Sequence, residues 1–272
     1  MHSEQLLSQA ERRIARRDAE ILLAAAWQRS RAALLARAKE PVPGDVAARF
    51  NAACARRAAG EPVAYLLGRR EFWSLDFEVT PAVLVPRPET ELLVERVLQR
   101  LDAAPARVAD LGTGSGAIAI SLALERPAWS VLGSDRSGDA LAVARRNGAR
   151  LVADRIEWLA GDWYAPLGAR RFEAIVSNPP YIAADDPALG GDGLAHEPHE
   201  ALTPGGDGMS ALATLINGAP GHLVPGGWLF LEHGATQGAA LRDALVARGF
   251  THVTSHRDLA GHERVTEGCW PR

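Results

Sequence analysis

The chain has 272 residues, 47% of them apolar, enough to bury a sizeable core and more than one typical domain requires. No apolar run approaches the roughly 20 residues of a bilayer-spanning helix, and a formal net charge of −3 argues against a broad nucleic-acid surface. Cys54 and Cys269 are too few for a disulfide framework, and Glu4, Glu11, Arg12 and Arg13 interrupt any secretory-type stretch, so a reducing cytoplasm is expected.

Residues 1 to 75 hold 13 Lys and Arg against 8 Asp and Glu, whereas the remainder holds 17 against 25. This basic part reads as a small helical bundle. Asp18 to Ala26, Arg31 to Ala36 and Val46 to Arg57 carry helical periodicity, with Pro41-Val42-Pro43-Gly44-Asp45 breaking and restarting the chain. Its arginines form either a solvated face or a docking surface for a protein partner. Glu71 to Thr80 alternates Phe72, Ser74, Asp76 and Glu78 against Trp73, Leu75, Phe77 and Val79, a strand-pair pattern. Pro88 suits the first position of a helix with Glu89 and Glu91 in its first turn, and the Pro86 to Glu89 loop is expected to line a substrate or cofactor cleft as well.

From residue 107 strand and helix signals alternate through Val108–Leu111, Ala117–Leu124, Val131–Asp135, Ala140–Asn147, Ile156–Leu159, Ala174–Val176, Leu212–Ile216, Trp228–Glu232 and Ala239–Arg248. That alternation predicts an α/β fold, a mostly parallel sheet with helices on both faces. Expected boundaries are a helical domain over 1–70, a linking hairpin over 71–86 and a Rossmann-like domain over 87–272. Ala183 to Asp207, rich in Gly, Asp and Pro, reads as a long surface loop of the kind that often serves as a lid.

Two motifs carry chemistry. Val108 to Leu111 runs into Gly112-Thr113-Gly114-Ser115-Gly116 and then into a helical pattern, which brings backbone close to a ligand at a helix N-terminus. The third glycine comes one residue earlier than in a dinucleotide fingerprint, favouring S-adenosylmethionine over NAD. Asp135 closes the next strand 19 residues after Gly116, placed for both ribose hydroxyls, although an acid there can equally cap a helix. The second motif, Asn178-Pro179-Pro180-Tyr181, follows the apolar run Phe172 to Ser177. Two prolines donate no backbone hydrogen bonds, so the segment is a stiff rim of acceptors. The Asn178 oxygen and the Pro179 carbonyl suit the two N–H groups of a planar amide or aryl amine, with the Tyr181 ring over its face. A simple turn after the strand is the plain alternative.

The chain resembles the HemK-type protein-(glutamine N5) methyltransferases that modify peptide-chain release factors. The likeness extends from Arg56-Arg57 and Gly60 to Gly68 through Glu71-Phe72-Trp73, Val83 to Glu91, the glycine loop, Asp162-Trp163 and the Asn-Pro-Pro-Tyr stretch. It continues to Glu197-Pro198, Leu231 to Gly234 and Glu263 to Thr266, nearly the whole chain. Val85 and Asp135-Arg136-Ser137 depart from the Ile-Pro-Arg-Pro and Asp-Ile-Ser usual there, leaving the ribose acid in place.

The resemblance implies a class I S-adenosylmethionine-dependent methyltransferase, with a seven-stranded sheet and a small N-terminal helical domain that docks the substrate. It implies Gly112, Thr113, Gly114, Ser115, Gly116, Asp135, Trp163 and Asn178 as cofactor residues, and Asn178, Pro179, Pro180 and Tyr181 as the catalytic amide site. Trp163 also reads as a core aromatic. The implied reaction methylates the glutamine of the release-factor Gly-Gly-Gln motif, giving S-adenosylhomocysteine. A cytoplasmic protein without a metal, a membrane or direct nucleic-acid contact is expected, with a monomer favoured and the oligomeric state left open by the sequence. Methylation of a ribosomal-protein glutamine, N6-adenine methylation of nucleic acid and a non-catalytic cofactor-binding adaptor stay open as alternatives.

Overall fold

The computed structural model describes every residue except Asp154 and Asp192. The chain divides into two compact units, Met1–Arg69 with Gly190–His196, and Arg70–Leu189 with Glu197–Arg272.

The first unit is helical: α1 (Ser3–Ala10), α2 (Arg16–Ala26), α3 (Arg31–Ala36), α4 (Gly44–Ala58) and α5 (Val63–Leu67). Leu6, Leu7, Leu22, Leu23, Leu34 and Phe50 close its core. Pro43 precedes α4 with the extended ψ of 145° that a helix entry needs, and Ser30 caps α3 by accepting from the Ala33 amide at 3.1 Å. Helices α1 and α5 go beyond the sequence expectation, because 8 and 5 residues are too short to display a period of 3.6. Most arginines here are paired: Arg16 with Glu4 and Glu20, Arg31 with Glu20, Arg29 with Glu40, Arg56 with Glu61 and Arg57 with Asp18. Arg12, Arg13 and Arg17 are exposed, so excess positive charge gathers where α1 passes into α2. The segment around His196 belongs to this unit, with His196 Nε2 lying 3.1 Å from the Ala59 carbonyl.

The second unit opens with a hairpin, β1 (Arg69–Phe72) and β2 (Leu75–Glu78). Trp73 and Ser74 turn it with φ of 52° and 57°, both left-handed, as a two-residue hairpin turn demands. The turn inverts the phase of the alternation read from the sequence. Phe72 and Phe77 therefore share one buried face, packed edge to face at 6.0 Å, rather than opposing ones.

After a one-turn 3-10 helix at Pro88–Thr90 the elements are α6 (Glu91–Arg100), β3 (Arg107–Leu111), α7 (Ala117–Glu125), β4 (Ser130–Asp135), α8 (Gly138–Val152), β5 (Ile156–Ala160) and β6 (Phe172–Ser177). There follow α9 (His199–Leu202), α10 (Ser210–His222), β7 (Leu223–Glu232), α11 (Gly238–Arg248), β8 (Thr251–Arg257) and β9 (Glu263–Cys269). Leu212–Ile216 thus lies inside a helix, and two strands follow α11 that the periodicity did not announce. The sheet order is β5-β4-β3-β6-β7-β9-β8, with β9 antiparallel to both neighbours. Successive residues of β3 face opposite cores, Val108 with Ile120, Val131 and Phe230, and Ala109 with Leu132, Ile175 and Leu229. Both faces being covered explains the nearly continuous apolar runs. The chain winds outward in opposite directions from β3 and β6, so a crevice opens at their carboxyl ends.

Candidate active site

The three glycines after β3 have φ of 73°, 56° and 82°, a left-handed repeat that side-chain-bearing residues resist. At Gly116 a Cβ would also come within 2.9 Å of the Trp158 ring. The turn is held from beneath. Gly112 and Thr113 both donate their amides to the Ser134 carbonyl at 2.9 Å, and buried Asn147 of α8 donates to the Ser115 carbonyl at 3.0 Å. Asp110, fully buried in β3, accepts from the Thr113 hydroxyl at 2.6 Å and the Ala119 amide at 3.2 Å, while its Oδ1 has no partner. Burial pushes its carboxyl up to about 7, and those two hydrogen bonds oppose the shift.

Asp135 ends β4 beside the loop. Its Oδ2 accepts from the Gly114 amide and its Oδ1 from the Ser137 amide, each at 2.9 Å, while Ser137 itself caps α8. Burial raises its carboxyl above the usual range, with the two amides opposing. Trp163 follows β5 with φ of 43°, its ring 3.5 Å from where a Gly112 Cβ would stand.

These groups border a cavity of about 380 Å³. Gly112, Thr113, Gly114, Ser115, Asp135, Trp163, Asn178 and Pro180 line it, as do Leu84 and Pro86 of the Pro-Arg-Pro-Glu approach. Gly116, Pro179 and Tyr181 stand outside the lining; Gly116 works through packing, and Pro179 is buried. The volume falls within the range of small-molecule sites. An acid at the strand end, exposed loop backbone without side chains at Gly112 and Gly114, and an aromatic wall at Trp163 fit a ribonucleoside carrying a short polar tail. S-adenosylmethionine is such a molecule.

Sequence reasoning missed the ring of groups behind the rim. Asn178 Nδ2 donates to Thr90 Oγ1 at 3.2 Å, and the Tyr181 hydroxyl donates to Glu232 Oε1 at 3.2 Å. Glu232 ends β7 and is 1% exposed; burial pushes it up to about 7 against the Thr90 and Tyr181 hydroxyls. Quoted only as points of family likeness, Thr90 and Glu232 gave no local sign of this role, being 88 and 54 residues from Asn178 in the chain. The Ala183–Asp207 stretch is largely ordered into turns and α9; Asp192 within it lies outside the described residues. Its Pro198, Glu200, Ala201 and Thr203 wall the cavity, and buried Glu197 anchors it, accepting from the Val85 amide at 2.9 Å and pairing with Arg87. Among the described residues no cluster of three or more His, Cys, Asp or Glu is placed to hold a metal ion, and no helix is long and apolar enough to cross a membrane.

A glycine loop leaving β3 at the switch in strand order of a seven-stranded sheet, with β9 reversed between β7 and β8, is the class I S-adenosylmethionine-dependent methyltransferase fold. A crystal structure of a methyltransferase from Pyrococcus furiosus shares that fold, with a TM-score of 0.56 at 19% identity, covering 82% of this chain and 98% of that one. Residues 1–68 match the PrmC N-terminal domain and residues 88–209 the methyltransferase small domain. The chain is 51% identical to the release factor glutamine methyltransferase of Xylella fastidiosa, over 98% of this chain and 97% of the relative. It is 50% identical to that of Pseudomonas aeruginosa, over 94% and 93%. It belongs to the release factor glutamine methyltransferase family.

Proposed function

We propose that this protein transfers a methyl group from S-adenosylmethionine to the N5 side-chain amide of the glutamine in the Gly-Gly-Gln motif of peptide chain release factors. The observation that carries the reading is the position of Asn178 on the wall shared with the glycine loop, its NH2 already given to Thr90. Its Oδ1 and the Pro179 carbonyl accept no hydrogen bond among the described residues, which leaves two acceptors for the two N–H groups of a primary amide.

S-adenosylmethionine supplies an electrophilic methyl on its sulfonium centre when bound. Gly112 to Ser115, Asp135 and Trp163 would hold it, and Asn178 with Pro179 would orient the amide nitrogen for in-line attack. With the cofactor bound, the N–CH3 bond would form at the expense of the S–CH3 bond, and the nitrogen would give up one proton to solvent. Catalysis is mainly positioning. Pro180 stiffens the rim, and Tyr181, tied to Glu232, stands behind it.

Exposed Arg12, Arg13 and Arg17 on the helical unit serve in this reading as a docking surface for the protein substrate. The enzyme acts as a cytoplasmic monomer without direct nucleic-acid contact; the acidic balance of residues 76–272 supports the last point.

The test is mass spectrometry of a purified release factor after incubation with the protein and S-adenosylmethionine. One added methyl on the Gly-Gly-Gln glutamine is expected. Methylation elsewhere, or none while a ribosomal protein or adenine in nucleic acid is modified, would overturn the assignment.

A further inference from the structure

We propose that Gln237 is a positioning residue for methyl transfer, pinning the carboxyl end of the Asn-Pro-Pro-Tyr rim from the turn after β7, and that buried His233 holds that turn in place. The inference rests on the reading of Asn178 to Tyr181 as the seat of the substrate amide. Pro179 and Pro180 have no N–H, so the ladder that joins β6 to β7 as far as Ser177 and Leu231 cannot continue along the rim. Its far end needs a tie of another kind.

Gln237 supplies that tie. Its Oε1 accepts from the Gly234 amide at 2.8 Å, and its Nε2 donates to the Tyr181 carbonyl at 3.0 Å. Both partners are backbone groups, one able only to donate and the other only to accept, so the two ends of the side chain cannot be exchanged. Gln237 stands at the N-cap of α11 yet makes no capping bond, because its side chain spans from turn to rim instead. Gly208 closes on the same carbonyl and leaves no room there for a Cβ. With the Tyr181 hydroxyl donating to Glu232 Oε1, the backbone and the ring of this one residue are both tied to the end of β7.

The turn is itself fixed by a row of hydrogen bonds whose direction follows from its two ends. Arg242 Nη1 donates to Ser255 Oγ at 2.6 Å, and Ser255 Oγ lies 2.8 Å from Thr266 Oγ1. Thr266 Oγ1 lies 2.8 Å from His233 Nε2, and His233 Nδ1 2.8 Å from the Gly234 carbonyl. A carbonyl only accepts, so Nδ1 carries a proton. His233 is 0% exposed and burial holds its imidazole below the usual histidine range, so the ring is neutral and Nε2 is bare. Thr266 therefore donates to Nε2 and accepts from Ser255, which accepts in turn from the guanidinium, a group that only donates. Each proton has one place. None of these side chains lines the cavity, so they act on the reaction only through the rim.

The experiment measures release-factor methylation by full-length variants, together with the NMR signals of the His233 ring nitrogens and the Tyr181 carbonyl carbon. Gln237→Glu keeps an acceptor for Gly234 but sets a second acceptor against the Tyr181 carbonyl; kcat should fall roughly tenfold or more while the KM for S-adenosylmethionine stays within about twofold. The Tyr181 carbonyl signal should move as its donor is lost. Asparagine carries its NH2 where histidine carries Nδ1, and glutamine where histidine carries Nε2, so His233→Asn should keep most of the rate that His233→Gln loses. In wild type the ring nitrogens should report a neutral imidazole protonated at Nδ1, a reading that needs no variant to fold. Unchanged kcat in Gln237→Glu, a fall in kcat matched by an equal rise in the cofactor KM, equal losses in the two His233 variants, or a ring protonated at Nε2 would overturn the proposal. Wild-type protein that methylates no glutamine would instead refute the reading of the reaction, while the ring and carbonyl signals would still report whether His233 and Gln237 hold the rim.

Discussion

Gly114 gives its amide to Asp135 Oδ2 at 2.9 Å, so the glycine loop and the acid of the neighbouring strand are one unit rather than two independent ligand contacts. Replacing Asp135 by Ala should remove the ribose partner and loosen the loop together. Hydrogen bonds to a charged group are worth roughly 1.5 to 3 kcal/mol each, so S-adenosylmethionine affinity should drop at least about tenfold by calorimetry. Hydrogen exchange at Gly114 should quicken even without cofactor. Wild-type affinity in the variant would remove Asp135 from the site.

Asn178→Ala should separate binding from transfer. The loop, Asp135 and Trp163 remain, so cofactor affinity stays within a few-fold, whereas methyl transfer falls on the order of a hundredfold or more. A parallel loss of both would mean Asn178 acts chiefly on the cofactor.

Asp110 should impose a pH dependence on stability. Burial raises its carboxyl from about 3.8 to about 7, so the folded protein holds this proton more tightly than the unfolded chain does. The resulting stabilisation is full below about pH 4 and is lost as the pH rises to about 7. Asp110→Asn retains an acceptor for Thr113 and Ala119 and does not titrate. Its melting temperature relative to wild type should therefore rise between pH 4 and 7 and level off above; a gap independent of pH would contradict this.

Glu267 should show the opposite sign. Burial alone would raise its carboxyl, but His256, 3.4 Å away, and hydrogen bonds from Arg100 and Arg96 outweigh it and hold the group down to about 2. Stability from this acid is present above about pH 4.5 and lost as the pH falls toward 2. Glu267→Gln, which strips two arginines of a fully buried partner, should cost about 3 kcal/mol or more in urea unfolding at pH 7. The gap should narrow on acidification; a constant gap would mean packing rather than charge is responsible.

Reversing Arg12, Arg13 and Arg17 together to Glu should raise KM for an intact release factor several-fold while leaving KM for a short Gly-Gly-Gln peptide nearly unchanged. Added salt should erase the difference, since steering between charged surfaces is screened. Equal effects on both substrates would deny the helical unit a docking role.

The legible parts of the sequence were those whose chemistry is local. A glycine repeat, an acid at a strand end and Asn-Pro-Pro-Tyr each sit within a few residues, and apolar runs mark strands β3, β4 and β6 because both faces of each are covered. Strands β8 and β9 were not legible: Thr251–Arg257 is a polar edge, and β9 buries Glu267, which pattern reading places outside. Trp73 and Ser74 in a left-handed turn gave no glycine or asparagine signal. The Thr90–Asn178 bond joins residues 88 apart and exists only once the sheet has formed.

The helical unit is discontinuous in the chain, since Gly190–His196 returns to it after most of the sheet has been laid down. A recombination event or an engineered chimera that exchanges only the first 69 residues would leave His196 facing a foreign Ala59 position. Grafting this unit onto another methyltransferase requires both pieces to travel together, and drift in one must be matched by the other. The unit is built from a pair of segments, although its sequence reads as a detachable N-terminal module.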